Sequence, residues 1–417
     1  MAGPSERKEA GLRSSIQGLG RNRSVVAAWA CGLVLLAGGA GAEGRIVAVG
    51  DVHGEYQGFL DILEATGLVD EKGDWVGGKA VLVQTGDFTD RGAHVREVMD
   101  LLRKLEGQAE AAGGRVVVLL GNHEVMNLLD SFRDFSPAAY AAFADARSEE
   151  RRSEAWEALE AHRGETGSGA GPEGTPPPES REEWMARHPP GRLEYQEAIS
   201  EGGEYGRWMR RLPVVVELGG VAFMHAGVDP ALELGKLDDI NERVERELKS
   251  YVRAKERLVR SGVVLPSFDL PAVEKAVVRE VQRIIAAGTS FDAPRSEDRG
   301  LRGALITLGG MPEWWCFLPQ GPLWFRGYAD WTEAEGNGHI ARLKHRLGIE
   351  RFVVAHTVLE PPGRVRTRFG GQVVLIDTGM LRERYGGEPS AVEVAGDVVT
   401  AFYLDDREVL LEAAALP

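Results

Sequence analysis

Five short motifs of this 417-residue chain combine carboxylate, amide and imidazole side chains with glycine. Oxygen and imidazole nitrogen donors without a thiolate suit divalent Mn, Fe, Zn or Co. Two such ions about 4 Å apart can hold a hydroxide and clamp an in-line displacement at phosphorus. The motifs therefore predict a dimetal site for phosphoryl chemistry. They are Gly50–Gly54 (GDVHG), Gly86–Gly92 (GDFTDRG), Gly121–Glu124 (GNHE), His225–Gly227 (HAG) and Ala355–Thr357 (AHT).

Six side chains of these motifs are the candidate metal ligands. Six are enough for two ions only if one carboxylate is shared, and the neighbouring glycines leave room for a substrate. A single motif of this kind is a weak signal, whereas all five in one chain are a strong one. The candidates are Asp51, His53, Asp87, Asn122, His225 and His356.

Each motif follows a short apolar run that is typical of a buried strand. The first three runs are separated by helix-period segments, at the spacing of βαβ units. This spacing predicts parallel strands whose carboxyl ends gather the motifs at one edge. The runs are Ile46–Val49, Val81–Val83, Val116–Leu120, Val221–Met224 and Phe352–Ala355.

Later runs favour antiparallel pairing. Val214–Leu218 and Val221–Met224 flank Gly219-Gly220, which is a hairpin signal. We expect Val373–Ile376 and the pair around Gly396-Asp397 to continue this arrangement. The predicted fold is α/β, with two packed mixed β-sheets (a β-sandwich) flanked by helices.

Two helix-prone regions interrupt the strands, at about residues 131–205 and 238–300. The first contains a Gly- and Pro-rich stretch, Gly164–Ser180, which predicts a surface loop. The second holds two amphipathic helices, one marked by Ile240, Val244 and Leu248. We interpret both regions as helical insertions. The helices of the second would cover the site, form a docking surface or only shield the sheet.

The motif set resembles the calcineurin-like metallophosphoesterases, and within them the phosphoprotein-phosphatase branch. Gly-Asp-x-x-Asp-Arg-Gly and Gly-Asn-His-Glu mark that branch. The segment Pro322–Gly327 (PLWFRG) and the segment Ile376–Met380 (IDTGM) are most like the Shewanella-like, bacterial-type protein phosphatases. The resemblance covers about residues 45–405 and implies the calcineurin-like fold for a domain at 43–410.

The resemblance also implies a role for each site residue. Asp51 and His53 would bind one ion, Asp87 would bridge, and Asn122, His225 and His356 would bind the second. His123 would protonate the leaving oxygen and Asp90 would orient it, while Arg91 and Arg326 would bind the phosphate. Hydrolysis would then proceed by attack of a metal-bridging hydroxide, with no covalent phosphoenzyme. Manganese is the expected metal, with Fe, Zn or Co as alternatives.

The expected substrate is a phosphorylated protein or peptide. A small phosphate ester (a nucleotide, a dinucleoside polyphosphate or a sugar phosphate) is the alternative, because a metal site alone does not fix the substrate. A non-catalytic scaffold of the same fold is a third reading, which the complete ligand set disfavours. The aromatic-rich segment 314–331 has two readings, a wall beside an aryl phosphate or ordinary packing.

The charge and the cysteine content of the chain argue against nucleic-acid binding and against a disulfide-stabilised fold. The net charge is −15, and residues 1–42 carry five basic and two acidic side chains, so the remainder carries −18. A body this acidic argues against nucleic-acid binding. The two cysteines, Cys31 and Cys316, do not form a disulfide framework.

The N-terminal 42 residues have the pattern of an export signal. Arg21 and Arg23 precede an apolar run, Val25–Leu36, and small residues up to Ala42 follow it. We therefore expect a periplasmic or secreted protein that begins at Glu43. A membrane-anchored protein, with this segment uncleaved, is the alternative.

Overall fold

The apolar runs that end in the site motifs form strands of two β-sheets. The computed structural model describes residues 44–167, 179–287, 299–360 and 363–413. The predicted signal at residues 1–42 lies outside them. Within the described residues the strands are β1 (Ile46–Val49), β2 (Val81–Gln84), β3 (Arg115–Val118), β4 (Val215–Leu218), β5 (Val221–Met224), β6 (Arg351–Val354), β7 (Arg366–Arg368), β8 (Val373–Leu375), β9 (Ser390–Ala395), β10 (Val398–Tyr403) and β11 (Arg407–Leu411).

Helices lie between and around these strands. In the described ranges they are α1 (Tyr56–Ala65), α2 (Val95–Ala111), α3 (Asn122–Leu128), α4 (Pro137–Ala141), α5 (Ser148–Thr166), α6 (Arg181–Arg187), α7 (Arg192–Ala198), α8 (Glu204–Met209), α9 (Asp238–Arg260), α10 (Leu270–Ala286), α11 (Arg299–Gly309), α12 (Gly327–Asp330), α13 (Glu333–Leu347) and α14 (Arg382–Tyr385). No described helix combines the length and the apolarity needed to cross a bilayer.

The two sheets are both mixed, as predicted. The first has the order β11-β10-β9-β1-β2-β3, and the second has the order β4-β5-β6-β8-β7. β1, β2 and β3 are parallel, and β4 and β5 form the expected hairpin. The parallel strands β5 and β6 bring the two histidine motifs of the second sheet to the same end.

One expectation on the later strands was wrong. The hairpin β9–β10 does not continue the sheet of β4 and β5; it joins the first sheet, where β9 is antiparallel to β1. β8 does lie in the second sheet, but it is parallel to β6 and antiparallel only to β7. Strands that are remote in sequence pair here because their apolar faces match, and a local pattern does not reveal this.

Successive side chains along the strands point to opposite faces of the sheets and so contribute to two separate hydrophobic cores. Ala48, Val83 and Val117 of the first sheet share a buried cluster with Phe223 and Val353 of the second, so this is the layer between the sheets. The alternate side chains, such as Val47 and Leu82, pack with the helices in a second, larger cluster. Each central strand is thus apolar on both faces, which explains its continuous apolar sequence.

The helical regions lie where the sequence indicated. α4 to α8 lie between α3 and β4, and α9 to α11 lie between β5 and β6. Ile240, Val244 and Leu248 are all buried on α9. The predicted loop begins later than expected, because α5 continues to Thr166 and ends at Gly167, whose φ of 66° is left-handed. Most of the predicted loop, residues 168–178, lies outside the described residues.

Candidate active site

The carboxyl ends of β1, β2, β3, β5 and β6 bring the five motifs together. The turns after β1 and β2 supply Asp51, His53 and Asp87, and the start of α3 supplies Asn122. His225 follows β5 directly and His356 follows β6, so the second sheet completes the set. All six predicted ligands are at most 6% exposed.

Two groups of potential ligands share one carboxylate. His53, Asp87 and His123 offer ligand atoms that lie within 4.8 Å of one another, and so do Asp87, His225 and His356. The Asp87 Oδ2 atom lies 3.6 Å from His53 Nε2 and 3.3 Å from His225 Nε2. Asp87 therefore stands where a bridging carboxylate is required, between the two predicted subsites.

Hydrogen bonds at the rear of two imidazoles fix which nitrogen faces the centre. His53 Nδ1 donates to the Thr89 carbonyl at 2.9 Å, and His225 Nδ1 donates to the Thr85 carbonyl at 3.1 Å. In the neutral tautomer each Nε2 then carries a lone pair, which is the form that binds metals. Burial lowers the pKa of His53 well below its usual value, which favours that neutral form.

The second group fits a cation by its donor chemistry. His225 Nε2 lies 3.0 Å from Asn122 Oδ1 and 3.0 Å from His356 Nδ1. Burial, together with the charge of Arg326, lowers the pKa of His356 to about 2, so this ring is neutral. Oxygen and nitrogen lone pairs that face one another at this distance are satisfied when a cation lies between them. The residues present therefore fit a divalent metal.

Asp51 lies slightly outside these two groups but close to both. Its carboxylate is 3.7 Å from His53 Nε2 and 3.7 Å from His225 Nδ1, and its Oδ1 accepts the backbone N–H of His356. Burial and the neighbouring carboxylates of Asp377 and Asp87 raise its pKa well above the usual value. Three carboxylates in one buried place call for positive charge, which metal ions would supply.

Backbone conformation at the site is unusual. Of the seven described non-glycine residues with positive φ, five belong to the site motifs: His53, Asp87, Asp90, Arg91 and His356. Such conformations cost free energy and cluster at functional sites.

Glycine lets two of these turns touch. A Cβ atom on Gly121 would lie 2.2 Å from Asp87 Oδ1, so the start of α3 approaches the shared carboxylate only because this residue has no side chain.

Glu124 connects the turn after β2 to the start of α3 by hydrogen bonds. Its carboxylate accepts the backbone N–H groups of Asp87 (2.7 Å), Thr89 (2.8 Å) and Gly121 (2.9 Å), and the Thr89 hydroxyl (2.7 Å). Both oxygens are thus used, and Glu124 is fully buried. It supports the ligands rather than being one.

A histidine–aspartate pair lies beside the shared carboxylate. His123 Nδ1 donates to Asp90 Oδ2 at 2.5 Å, and His123 Nε2 lies 3.8 Å from Asp87. Burial alone would lower the pKa of His123, but the charges of Asp87 and Asp90 and the Asp90 hydrogen bond outweigh it and raise that pKa. The ring can therefore hold a proton on Nε2, at the edge of the centre.

Two arginines reach the site. Arg91 contacts His53 Nε2, and its Nε atom has no hydrogen-bond partner in the part of the chain that the structure describes. Arg326 donates to the His356 carbonyl (3.2 Å) and to the Thr357 hydroxyl (3.1 Å). Guanidinium groups at these positions suit the oxygens of a phosphate.

Aromatic rings border the centre on two sides. Trp324 lies edge-on to His356, with centroids 6.0 Å apart, and Tyr385 lies 6.2 Å from His53. Arg91 lies over the Tyr385 ring. Most of the predicted aromatic segment has a packing role: Phe325, Tyr328 and Trp331 contact one another.

Three residues of the site had not been singled out from the sequence. Tyr385 is one of them. Asp377 is buried, and burial raises its pKa to about 6; it belongs to the segment Ile376–Met380, whose chemical role the motif did not reveal. Asn127 lies one helical turn after His123 and bonds to Asp90. Its spacing of four residues from His123 was the available signal.

Comparison with known proteins identifies the class. The sequence model of the family described as "Calcineurin-like phosphoesterase" matches residues 44–260, just over half of the chain. The chain therefore belongs to the calcineurin-like phosphoesterase family, a class of metal-dependent hydrolases of phosphate esters. The resemblance expected from the motifs is confirmed.

Individual proteins similar to this chain share between 25% and 40% of their residues with it over the aligned regions. An uncharacterized protein of Schizosaccharomyces pombe is 27% identical over 352 residues, which cover 84% of this chain and 77% of that protein. Shewanella-like protein phosphatase 1 of Plasmodium berghei is 25% identical over 58% of each chain. Shewanella-like protein phosphatase 2 of Arabidopsis thaliana is 40% identical over 89 residues, 21% of this chain and 23% of its own.

A solved structure shares the fold. The crystal structure of the cold-active protein-tyrosine phosphatase of a psychrophilic Shewanella species superimposes with a TM-score of 0.54. The match has 23% sequence identity and covers 89% of this chain and 81% of that one. The predicted sandwich of two mixed sheets flanked by helices is thereby confirmed.

Proposed function

We propose that this protein is a dimetal-dependent protein phosphatase. The observation that carries the proposal is the position of one carboxylate, Asp87, between two buried ligand groups and beside a histidine–aspartate pair. This arrangement supplies metal ligands, a proton donor and phosphate-binding cations in one place. The similarity to two Shewanella-like protein phosphatases supports the choice of a phosphorylated protein or peptide as the substrate.

Each predicted residue has a defined task in the proposed reaction. Asp51 and His53 would hold one ion, and Asn122, His225 and His356 the other, with Asp87 shared. The metal ions, when bound, neutralise charge on the phosphate and generate the oxygen nucleophile at neutral pH. Manganese is the metal that we propose, since the donor set mixes carboxylate and amide oxygens with imidazoles.

The remaining residues bind the phosphate and move one proton. Arg91 and Arg326 bind phosphate oxygens through their guanidinium N–H groups. His123 holds a proton on Nε2 and transfers it to the oxygen of the leaving alcohol or phenol. Asp90 accepts the Nδ1–H of the same ring and stabilises the imidazolium form until that transfer. No side chain forms a bond to phosphorus in this scheme.

A hydrolysis assay tests the proposal. The purified protein is stripped of metal and resupplied with Mn²⁺, and phosphotyrosine peptides, phosphoserine peptides and a nucleotide panel are compared. We expect metal-dependent release of phosphate, with the highest kcat/KM on a phosphopeptide. A preference for nucleotides would refute the assignment as a protein phosphatase. The absence of turnover with each of Mn²⁺, Fe²⁺, Zn²⁺ and Co²⁺ would refute the proposal that the protein is a phosphatase.

Two aspartate variants make this assay specific. Asp87→Asn removes the shared charge and should abolish turnover. Asp74→Asn, at a partly exposed aspartate whose Oδ1 lies 2.8 Å from Lys104 Nζ, should leave turnover unchanged. Equal activity of the two variants would contradict the assignment of Asp87 to the active site.

We also propose that the protein is exported and begins at Glu43, with residues 43–410 as the phosphatase domain. The charged, apolar and small-residue pattern of residues 21–42 supports this. Intact-mass measurement of the protein recovered from the cell envelope or medium tests it. The full mass of 45.3 kDa in a membrane fraction would favour the anchored alternative, and the full mass in the cytosol would refute export.

A further inference from the structure

We infer that Asn127 is a positioning residue for proton transfer, because its side-chain amide holds Asp90 in the orientation that His123 requires. The inference goes one step beyond the proposed function and rests on its assignment of His123 as the proton donor. The contacts that carry it come from the helix that also bears the active-site residues. On α3, Asn127 lies four residues after His123, so the two side chains occupy one face.

The amide binds both members of the histidine–aspartate pair. Asn127 Nδ2 donates to Asp90 Oδ1 at 2.8 Å and to the His123 carbonyl at 2.8 Å. The other carboxylate oxygen of Asp90, Oδ2, accepts His123 Nδ1–H. Each Asp90 oxygen therefore has its own donor, and rotation of the carboxylate would break two hydrogen bonds at once.

A tyrosine determines which way the amide faces. Tyr195 donates its hydroxyl to Asn127 Oδ1 at 3.1 Å. Since the oxygen of the amide is held there, its nitrogen must face Asp90. Tyr195 itself is fully buried and lies against Phe135, with ring centroids 4.0 Å apart. The orientation of the amide is thus fixed by the packed helical region that follows α3.

Asp90 lies in a turn of unusual backbone conformation. Its φ is 70° and that of Arg91 is 69°, so two successive residues adopt the left-handed conformation in the turn after β2. Asp90 is fully buried, where a carboxylate that loses a donor is costly. Asp90 thus accepts from both Asn127 and His123, and this hydrogen-bonded chain links α3 to the ring that holds the reacting proton.

Dependence on the leaving group separates positioning from plain structural support. Protonation of the leaving oxygen matters greatly for a poor leaving group, such as phenol or serine, and little for 4-nitrophenol. General acid catalysis contributes roughly 10²–10⁴-fold. We expect Asn127→Leu, which removes the donor at similar size, to lower kcat on phenyl phosphate at least about tenfold. On 4-nitrophenyl phosphate the same change should cost less than about threefold.

Three further variants keep the test decisive. Asn127→Ser, a smaller polar replacement, should show the same leaving-group dependence if the leucine variant does not fold. Tyr195→Phe, which frees the amide to turn, should show a smaller effect of the same kind. Asn241→Ser is the matched control, because in the described part of the chain Asn241 bonds to backbone groups of Val214 and Val215, away from the site, and should change stability without leaving-group dependence.

The two possible failures are distinguishable by measuring His123→Ala in parallel. If His123→Ala shows no leaving-group dependence, the proposed proton donor is wrong. If His123→Ala shows it while both Asn127 variants lose activity equally on the two esters, or lose none, the positioning role of Asn127 is overturned. Metal content, measured by elemental analysis, should equal that of the unaltered protein in every Asn127 variant.

Discussion

Replacement of Glu124 by glutamine should destabilise the fold and weaken metal binding together. Four donors point at the two carboxylate oxygens, Oε2 accepting from Asp87 and Gly121 and Oε1 accepting twice from Thr89. A glutamine has one acceptor oxygen and one NH₂ group. If the NH₂ group faced Asp87 and Gly121, two backbone N–H groups would be left unpaired, so the better orientation places it toward Thr89.

The magnitude follows from this orientation. The Thr89 hydroxyl can turn and accept, but the Thr89 N–H then meets another donor and remains buried without a partner. An unpaired buried donor costs about 1–3 kcal/mol, and the two bonds that Gln retains lose the strength given by the charge. We therefore expect the free energy of unfolding to fall by about 3 kcal/mol, a large share of the usual 5–15 kcal/mol.

Urea unfolding and Mn²⁺ titration by calorimetry measure the two effects. The matched control is Glu247→Gln on α9, because Glu247 is buried and accepts the backbone N–H groups of Trp315 and Cys316. Both variants should lose stability, but only Glu124→Gln should lose Mn²⁺ affinity, because its turns carry predicted ligands. An unchanged unfolding free energy for Glu124→Gln, or equal losses of affinity in the two variants, would refute the reasoning.

Three other predictions concern metal, substrate and pH. Removal of metal by a chelator should lower Tm in a thermal melt and Mn²⁺ should restore it, since the predicted ligands come from both sheets; an unchanged Tm would contradict a metal site. Trp324→Ala should lower kcat/KM on aryl phosphates more than on alkyl phosphates, because the ring borders His356; equal losses on both would exclude an aromatic wall. Burial, together with the charge of Arg192, lowers the pKa of His188 from 6.5 to about 4. The neutral form of His188 therefore stabilises the fold fully above pH 6.5. This contribution, at most about 3 kcal/mol, is lost as the pH falls from 6.5 toward 4. His188→Asn should flatten that part of the stability–pH curve measured by urea unfolding, and parallel curves for the two proteins would contradict it.

The sequence was sufficient to predict the strands that carry the five motifs and the edge at which the motifs meet. Continuous apolar runs indicated buried strands, and every one of the five runs forms a strand, four of them inside a sheet and one, β3, at an edge. The chemistry-bearing residues follow those strands directly, so their convergence required only the rule that parallel strands end at one edge. The predicted ligands Asp51, Asp87 and His225 therefore lie together as expected.

The remaining features depend on contacts between remote segments. The sequence of β9–β10 has the pattern of an ordinary hairpin. It joins the first sheet because its apolar face matches that of β1, which a local pattern does not reveal. Asp377 and Tyr385 reach the site from a segment whose local pattern carries no sign of metal chemistry. The tryptophans of residues 314–331 divide between packing and the site border, a division that only the folded chain makes.

The distance along the chain between Asp51 and His356 has a consequence for biosynthesis. These residues are 305 positions apart, yet the backbone N–H of His356 donates to the Asp51 carboxylate. During synthesis the first sheet's turns leave the ribosome long before the strand that carries His356 has been made. A nascent or truncated chain that ends before β6 lacks part of the predicted ligand set, so full metal affinity should arise only after β6 has been made. Activity would therefore report only on chains that extend past β6, and release before that point should yield inactive protein.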